Sequence, residues 1–392
     1  MIETKFITDY NDGASLEILG DDDFNYRVQF FDNNNDDELI HEDTIKCNHW
    51  IRTGRKYFTE WRIVVSKDGI NVFSDIFDCY GKWIIIYSDS TALGDNIGYA
   101  PYFEEFRKKH NCKLSVYSKF SWLLKNYYPE IEWENIDEKL KPYATYHISV
   151  GIDTNIFDNG VKKLNEYFNK HISIKYIPGL TFFDKNKHPE HPIQIPLQKM
   201  AANILGLKFK EIRPKFSIDC ERPLDKRYVC ISEFASNIQE GMKMWNNQVG
   251  WKTIIIELKN REYEVVSISK EKSELKNVIK VNGNYPMNTI MAYLKHAEFF
   301  IGLSSGLAWL NWALGKKTVM IAGFTEEWFE FQEDCIRIKN YEACGGCFNS
   351  KEHADKLCCF HMSFCPENKK FECSRKISPK MVMDKIIENK LI

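Results

Sequence analysis

The sequence lacks any run near the roughly 18 consecutive apolar residues of a membrane-spanning helix, so no membrane span is expected. Its start, MIETKFITDYNDGASLEI, lacks a basic segment followed by an apolar one, and it does not read as a secretory signal. Net charge is lacking as well. Fifty-three Lys and Arg face 55 Asp and Glu, which leaves −2. A field that weak gives no reason to expect nucleic acid or an anionic membrane as a partner. Short internal repeats and low-complexity tracts are absent, which excludes repeat architectures. A cytoplasmic location is the resulting expectation. In that compartment clustered cysteines are metal ligands or catalytic groups rather than disulfides.

What is present fits a globular protein of two or three domains: 392 residues, 44% hydrophobic and 28% charged. Aromatic residues reach 14%, enough for a large core or an oligomer interface. Residues 1–79 read as a small antiparallel β domain. SLEIL, YRVQFFD, RIVVS and INVFSDIFD alternate, and NDG, GDDD, DNNNDD and KDG separate them as turns. The long aromatic β domain reads either as a subunit interface or as a docking surface for an acceptor protein.

Near Lys82 the pattern changes to Val/Ile-rich strands alternating with helices, the signature of parallel sheets. A first lobe over 80–215 has WIIIY (83–87), CKLSVYS (112–118), YHISVGI (146–152) and HISIKYI (171–177) as strands. PYFEEFRKKH, FSWLLKNYY, VKKLNEYFNK (161–170) and KMAANILGL are its helices, and a linker is expected near 209–216. A second lobe over 216–342 restarts the alternation. RYVCISE, YEVVSIS, EFFIGLS and KKTVMIAG are strands, TIMAYLKHA and GLAWLNWALG are helices, and WKTIIIELK is a helix or a helix–strand segment. Two such lobes form the architecture of GT-B glycosyltransferases, shared with other two-lobed enzymes. A cysteine-rich finger (343–376) and a terminal helix (377–392) follow, the helix opened by Ser378-Pro379.

Six of the twelve cysteines fall between Cys344 and Cys373. Cys344-Gly-Gly-Cys347 is a C-x2-C knuckle, followed by Cys358, Cys359, Cys365 and Cys373. Four thiolates make a tetrahedral site for zinc or iron. Spacing does not choose four ligands from six, nor one metal from the other. His353 and His361 are alternative ligands or plain surface histidines. A closed four-thiolate site leaves no position for substrate, so its role reads as structural.

Three strand-to-helix loops are candidate sites, because open α/β sheets bind ligands there. After WIIIY, Asp95 follows Gly94 at a helix entry. It reads as a helix N-cap or as a general base. In GLSSGLAWL, Ser304, Ser305, Gly306 and Leu307 open a helix whose N–H groups suit a diphosphate, or simply allow close packing. After RYVCISE, Lys243 reads as a surface charge or as a partner for a leaving phosphate.

Together, RKYFTEWRIVV, ALGDNIGYAPYFEEFRKKH, KMWNNQVGWKTII, FFIGLSSGLAWLNWALGKKTVMIAGF and CGGC…CPENKKFECSRKISP resemble the bacterial autotransporter heptosyltransferase family over nearly the whole chain. The resemblance implies an N-terminal β domain, a GT-B core and a four-cysteine iron finger. It implies transfer of heptose from ADP-heptose to hydroxyls of autotransporter adhesins, by homo-oligomers that reach dodecamers. It puts the base at Asp95 and the phosphate lysine at Lys243, where Met244 stands in place of the family's aromatic residue. It puts the iron ligands at Cys344, Cys347, Cys365 and Cys373. Lysine and helix-start N–H groups take the place of a divalent ion at the diphosphate, so no catalytic metal is expected. Alternatives are another nucleotide-sugar donor, a glycan or other surface-protein acceptor, and a non-catalytic scaffold of the same fold.

Overall fold

A computed structural model of the chain describes residues 3–133, 141–148, 183–235, 241–354 and 365–392. The segments VKKLNEYFNK and HISIKYI, the end of YHISVGI, and Cys358, Cys359 and His361 lie outside the described residues, as does the side chain of His353.

Seven strands come first: β1 (Lys5–Asn11), β2 (Ser15–Leu19), β3 (Tyr26–Asp32), β4 (Glu38–Ile45), β5 (His49–Arg52), β6 (Trp61–Lys67) and β7 (Ile70–Ile76). Their alternation sets which face is buried. In β2, Leu16 and Ile18 are buried on either side of exposed Glu17, and in β3 Tyr26, Val28 and Phe30 turn inward. Strands β4-β3-β6-β7 form an antiparallel sheet, as the sequence predicts. The other three do not stay in a separate β domain. They extend the first lobe's sheet, where β1 pairs in parallel with β11 (Ala144–Ile148). The physical reason is shared burial. Ala14, Leu16 and Ile18 belong to the same apolar cluster as Ile84 and Ile86, and β1 covers a sheet edge that would otherwise stay open.

The first-lobe sheet runs β10-β9-β8-β11-β1-β2-β5, with β8 (Trp83–Ser88), β9 (Lys113–Ser118) and β10 (Glu132–Trp133). The second is wholly parallel, in the order β14-β13-β12-β15-β16-β17. Its strands are β12 (Tyr228–Ile231), β13 (Glu264–Ser269), β14 (Ile279–Asn282), β15 (Phe300–Leu303), β16 (Thr318–Ile321) and β17 (Cys335–Ile338). All four residues of β12, β15 and β16 are buried, as parallel strands covered on both faces require. The strand order reverses between β8 and β11 and between β12 and β15, so each lobe has a switch-point crevice at its carboxyl edge.

Helix Leu93–His110 is longer at its start than PYFEEFRKKH suggests. FSWLLKNYY gives only one helical turn, Ser121–Leu124. The tyrosines beyond it leave the helix for other partners. Tyr127 stacks on Phe216 at 4.2 Å, and the Tyr128 hydroxyl accepts from the Lys215 N–H at 3.2 Å. WKTIIIELK is helical, within Gly250–Lys259. The last helix, Pro379–Glu388, is capped as predicted, with Ser378 Oγ accepting from the Met381 N–H. No described helix is long and apolar enough to cross a membrane.

The lobes meet through two helix starts. A Cβ on Gly306 would lie 2.9 Å from Leu93 Cβ and 3.1 Å from Gly94 N. A Cβ on Gly94 would lie 2.8 Å from the ring of Trp309. Only glycine permits backbones this close. The expected linker lies against both lobes rather than hanging between them. Glu211 accepts from the N–H groups of Gln332 and Glu333, and Arg213 pairs with Asp334 at 2.7 Å. Gly306→Ala pushes a methyl group into opposing backbone that has little room to retreat. A loss of about 1–3 kcal/mol is expected in urea unfolding, and an unchanged midpoint would show that the lobes are not locked at this point.

Candidate functional site

Asp95 sits in the first turn of helix Leu93–His110, but it is not the cap. Ala92 holds the N-cap position, and no side chain caps the helix. The Asp95 carboxylate instead accepts the Ser90 hydroxyl at 2.6 Å. Burial raises its pKa above the ordinary value. The Ser90 hydrogen bond and the positive charge of Lys243 partly offset that rise. The loop beneath is pinned by Asn96, which the sequence reading missed. Fully buried, Asn96 donates to the carbonyls of Ser90 and Ala92, both at 2.8 Å. Its Oδ1 accepts from Ser88 and Ser118 at the ends of β8 and β9. A lone asparagine in a helix carries no pattern that marks this role.

Lys243 reaches the same cleft from the loop after β12. It is half-buried, and it makes no ion pair among the described residues. Its charge acts on Asp95, 148 positions away in sequence. Helix Gly306–Ala313 begins beside Gly94, with Ser305 at its N-cap in extended geometry. Ser305 Oγ is buried and has no hydrogen-bond partner. The first N–H groups of a helix lack intrahelical partners and sit at the positive end of its dipole. An unpaired hydroxyl beside them therefore makes an anion cradle.

Ser304 plays a different part from Ser305. Its hydroxyl donates to Glu330 Oε1 at 2.5 Å. Thr325 Oγ1 also donates to Glu330, and Arg337 forms an ion pair with it. The Glu330 and Arg337 side chains are 1% and 8% exposed. This buried network ties the end of β15, which carries the cradle, to β17 and the loop after β16. Glu233, beyond β12, was also missed. Burial raises its pKa, and its Oε1 has no partner.

The cysteines come together in part. Cys344, Cys347 and Cys373 pack in one apolar cluster with Phe324 and Phe348. Cys365 lies close enough for its charge to act on Cys347 and Cys373. Gly346 at φ +68° turns the knuckle, and the Lys369 N–H donates to Cys365 Sγ at 3.3 Å. Burial, with the neighbouring thiols, holds the Cys373 thiol at about 12 and raises Cys347 further. Among the described residues, no group of three or more His, Cys, Asp or Glu stands in position to hold a metal ion. Four of the six expected thiols are thus gathered in one place, with mutual charge repulsion disfavouring their thiolate forms. As a donor set, four converging sulfurs on a glycine knuckle fit iron or zinc.

Two lobes, one with a mixed sheet and one with a wholly parallel sheet, meet through helix starts that follow parallel strands. One presents a carboxylate, the other a lysine and a helix start, and this layout defines a GT-B-like glycosyltransferase fold. The chain belongs to the autotransporter heptosyltransferase family: it is 30% identical over 397 residues to Aah of Escherichia coli, across 95% of this chain and 90% of Aah. It is 28% identical to BimC of Burkholderia thailandensis, an inactive autotransporter heptosyltransferase, across 95% and 83%. Among solved structures it resembles TibC of enterotoxigenic Escherichia coli, an iron-containing dodecameric glycosyltransferase. The TM-score is 0.80 at 26% identity, covering 99% of this chain and 95% of TibC. TibC in complex with ADP-D-beta-D-heptose gives a TM-score of 0.81 at 24% identity, covering 99% and 96%. No protein-family model matches the chain.

Removing one partner of a buried ion pair leaves the other charge uncompensated, at about 3–5 kcal/mol. Glu330→Ala is expected to lose that much in urea unfolding. Glu330→Met combined with Arg337→Leu should recover most of it, since a matched apolar pair removes both charges.

Proposed function

We propose that the chain is an inverting protein O-heptosyltransferase, moving heptose from ADP-heptose to Ser or Thr hydroxyls of an autotransporter or other surface protein. The observation that carries this reading is buried Asp95 within electrostatic reach of Lys243, which makes no ion pair among the described residues, together with the unpaired hydroxyl of Ser305 beside Gly94. Asp95 takes the acceptor hydroxyl proton as that oxygen attacks the anomeric carbon. The bond from that carbon to the diphosphate oxygen breaks on the opposite face, and its electrons leave with ADP. Lys243, Ser305 and the N–H groups of Gly306 and Leu307 receive the developing charge. Gly94 keeps the base and the cradle side by side.

The inactive relative favours a second reading, a non-catalytic scaffold, which family membership alone does not remove. Asp95, Lys243 and the Ser304-Ser305-Gly306 turn support the catalytic one. Intact-mass analysis after co-expression with a candidate acceptor decides between them. A heptose increment supports transfer, a different sugar increment revises the donor, and no increment on any acceptor with no donor hydrolysis supports the scaffold.

Base catalysis of this kind is worth about 10²- to 10⁴-fold, so Asp95→Asn is expected to lose that much transfer with donor binding retained. Transfer needs ionised Asp95, and burial places its pKa above the usual carboxylate range. The acid limb of the pH–rate profile should therefore lie above that range. Lys243 lowers the Asp95 pKa, so Lys243→Ala should move the limb to higher pH as well as slow transfer. A limb unmoved by Lys243→Ala would separate the two residues.

We further infer one structural iron on Cys344, Cys347, Cys365 and Cys373, with zinc as the alternative. An iron there supplies a cation that relieves thiolate repulsion and braces an irregular segment. Metal analysis by mass spectrometry should find about one iron per chain, and Cys365→Ser should lower that sharply. Iron content unchanged in Cys365→Ser would remove this residue from the ligand set. Exposed Trp50, Ile70 and Ile76 in the N-terminal strands, with Tyr80 just beyond them, support a homo-oligomer, by analogy with dodecameric TibC.

A further inference from the structure

We infer that the segment Cys373–Ile377 is the positioning device of Lys243, and that Ser374 is its key residue. This inference rests on the reading of Lys243 as the phosphate-binding lysine. It adds what holds that lysine in place.

The lysine's loop has no regular structure of its own. Residues 241–249 lie between β12 and helix Gly250–Lys259, outside any helix or strand. A lysine on such a loop has considerable side-chain entropy to lose when it is held in one place. A loop that carries a charge to a set point needs outside bonds to hold it.

Those bonds come from one place, about 130 residues further along the chain. The Trp245 indole N–H donates to the Ile377 carbonyl at 2.9 Å. Asn246 donates to Ser374 Oγ twice, from its backbone N–H at 3.3 Å and from Nδ2 at 2.7 Å. Asn247 Nδ2 donates to the carbonyls of Arg375 and Ile377 at 3.1 and 3.2 Å. Asn246 also closes its own loop, with Nδ2 on the Gly241 carbonyl at 2.9 Å. On the other side of Lys243, Met242 packs in the same apolar cluster as Cys373, Phe324 and Phe348. The lysine is thus flanked on both sides by residues fastened to this segment.

Ser374 is the point where the bonds converge. It is 2% exposed, and its single hydroxyl receives both the backbone and the side chain of Asn246. No described hydrogen bond joins it to Lys243, so it acts on the lysine through the position of Asn246. The terminal helix supports the far end: Ile377 is fully buried in the second lobe's core, just before the Ser378 cap.

The test is a double-mutant cycle on ADP affinity, measured by calorimetry on the full chain. Lys243→Ala alone tests the underlying reading. If ADP binding is unchanged, Lys243 is not a phosphate ligand, and that reading fails first. With Lys243→Ala weakening ADP binding, Ser374→Ala is expected to weaken it about 5- to 140-fold, by removing two hydrogen bonds. The loss should vanish in the Lys243→Ala background, because a misplaced alanine costs nothing. Ser374→Thr keeps the hydroxyl and should recover most of the affinity. If Ser374→Ala does not fold, Asn246→Ala approaches the same bonds from the loop side, with the same expected cycle. Losses that multiply in the double variant, or a folded Ser374→Ala with normal ADP affinity, would overturn the inference.

Discussion

The contact of Gly94 with Gly306 is the constraint on which the rest of the structure depends. It sets two helix starts against each other, one from each lobe, at a distance that excludes any side chain. Everything chemical lies within reach of that contact: Asp95 one residue after Gly94, and Ser305 one residue before Gly306. The positive ends of both helix dipoles therefore lie close together. Trp309 fills the groove that the first helix leaves open and joins Trp312 and Phe331 in an aromatic stack beneath, with ring centroids 5.1 and 4.7 Å apart. The places of Asp95 and Ser305 beside the seam between the lobes are therefore set by one packing event.

Around that contact some buried polar groups are satisfied, while others are not. Asn96 spends both ends of its amide on the loop under Asp95. Glu330 is held by Ser304, Thr325 and Arg337. By contrast, Ser305 Oγ and Glu233 Oε1 are buried without partners, which a protein interior tolerates only rarely. Asp95 shows the same tension in its titration. Its folded pKa is raised, so the folded state holds its proton more tightly than the unfolded chain does. Stability then falls as pH rises from the ordinary carboxylate value through the raised one, and the ionised base is a destabilising group at neutral pH.

The cysteine segment belongs to this site more closely than its position near the end of the chain implies. Its backbone lies on the loop after β16, where the Gly346 and Phe348 N–H groups donate to the carbonyls of Gly323 and Phe324. Its continuation holds the Lys243 loop. The cysteine segment is therefore hydrogen-bonded both to the loop after β16 and to the loop that carries Lys243.

The sequence by itself determined the elements and the loops that matter. Period-two alternation marked β2, β3, β6 and β7, and unbroken Val/Ile runs marked β8, β12, β13 and β16, because burial on one face or both writes itself into local composition. The strand-to-helix loops carrying Asp95, Lys243 and Ser305 were legible for the same reason, as was the Ser378-Pro379 cap. Short edge strands such as β10 and β14 went unread, since two to four residues hold too little period to detect. Only the tertiary structure decided that β1, β2 and β5 join the first lobe's sheet, that Asp95 is no cap, and that Asn96, Glu330 and Ser374 hold the site together. Those roles arise from contacts between residues far apart in the chain, and a single polar residue shows none of them in its neighbours.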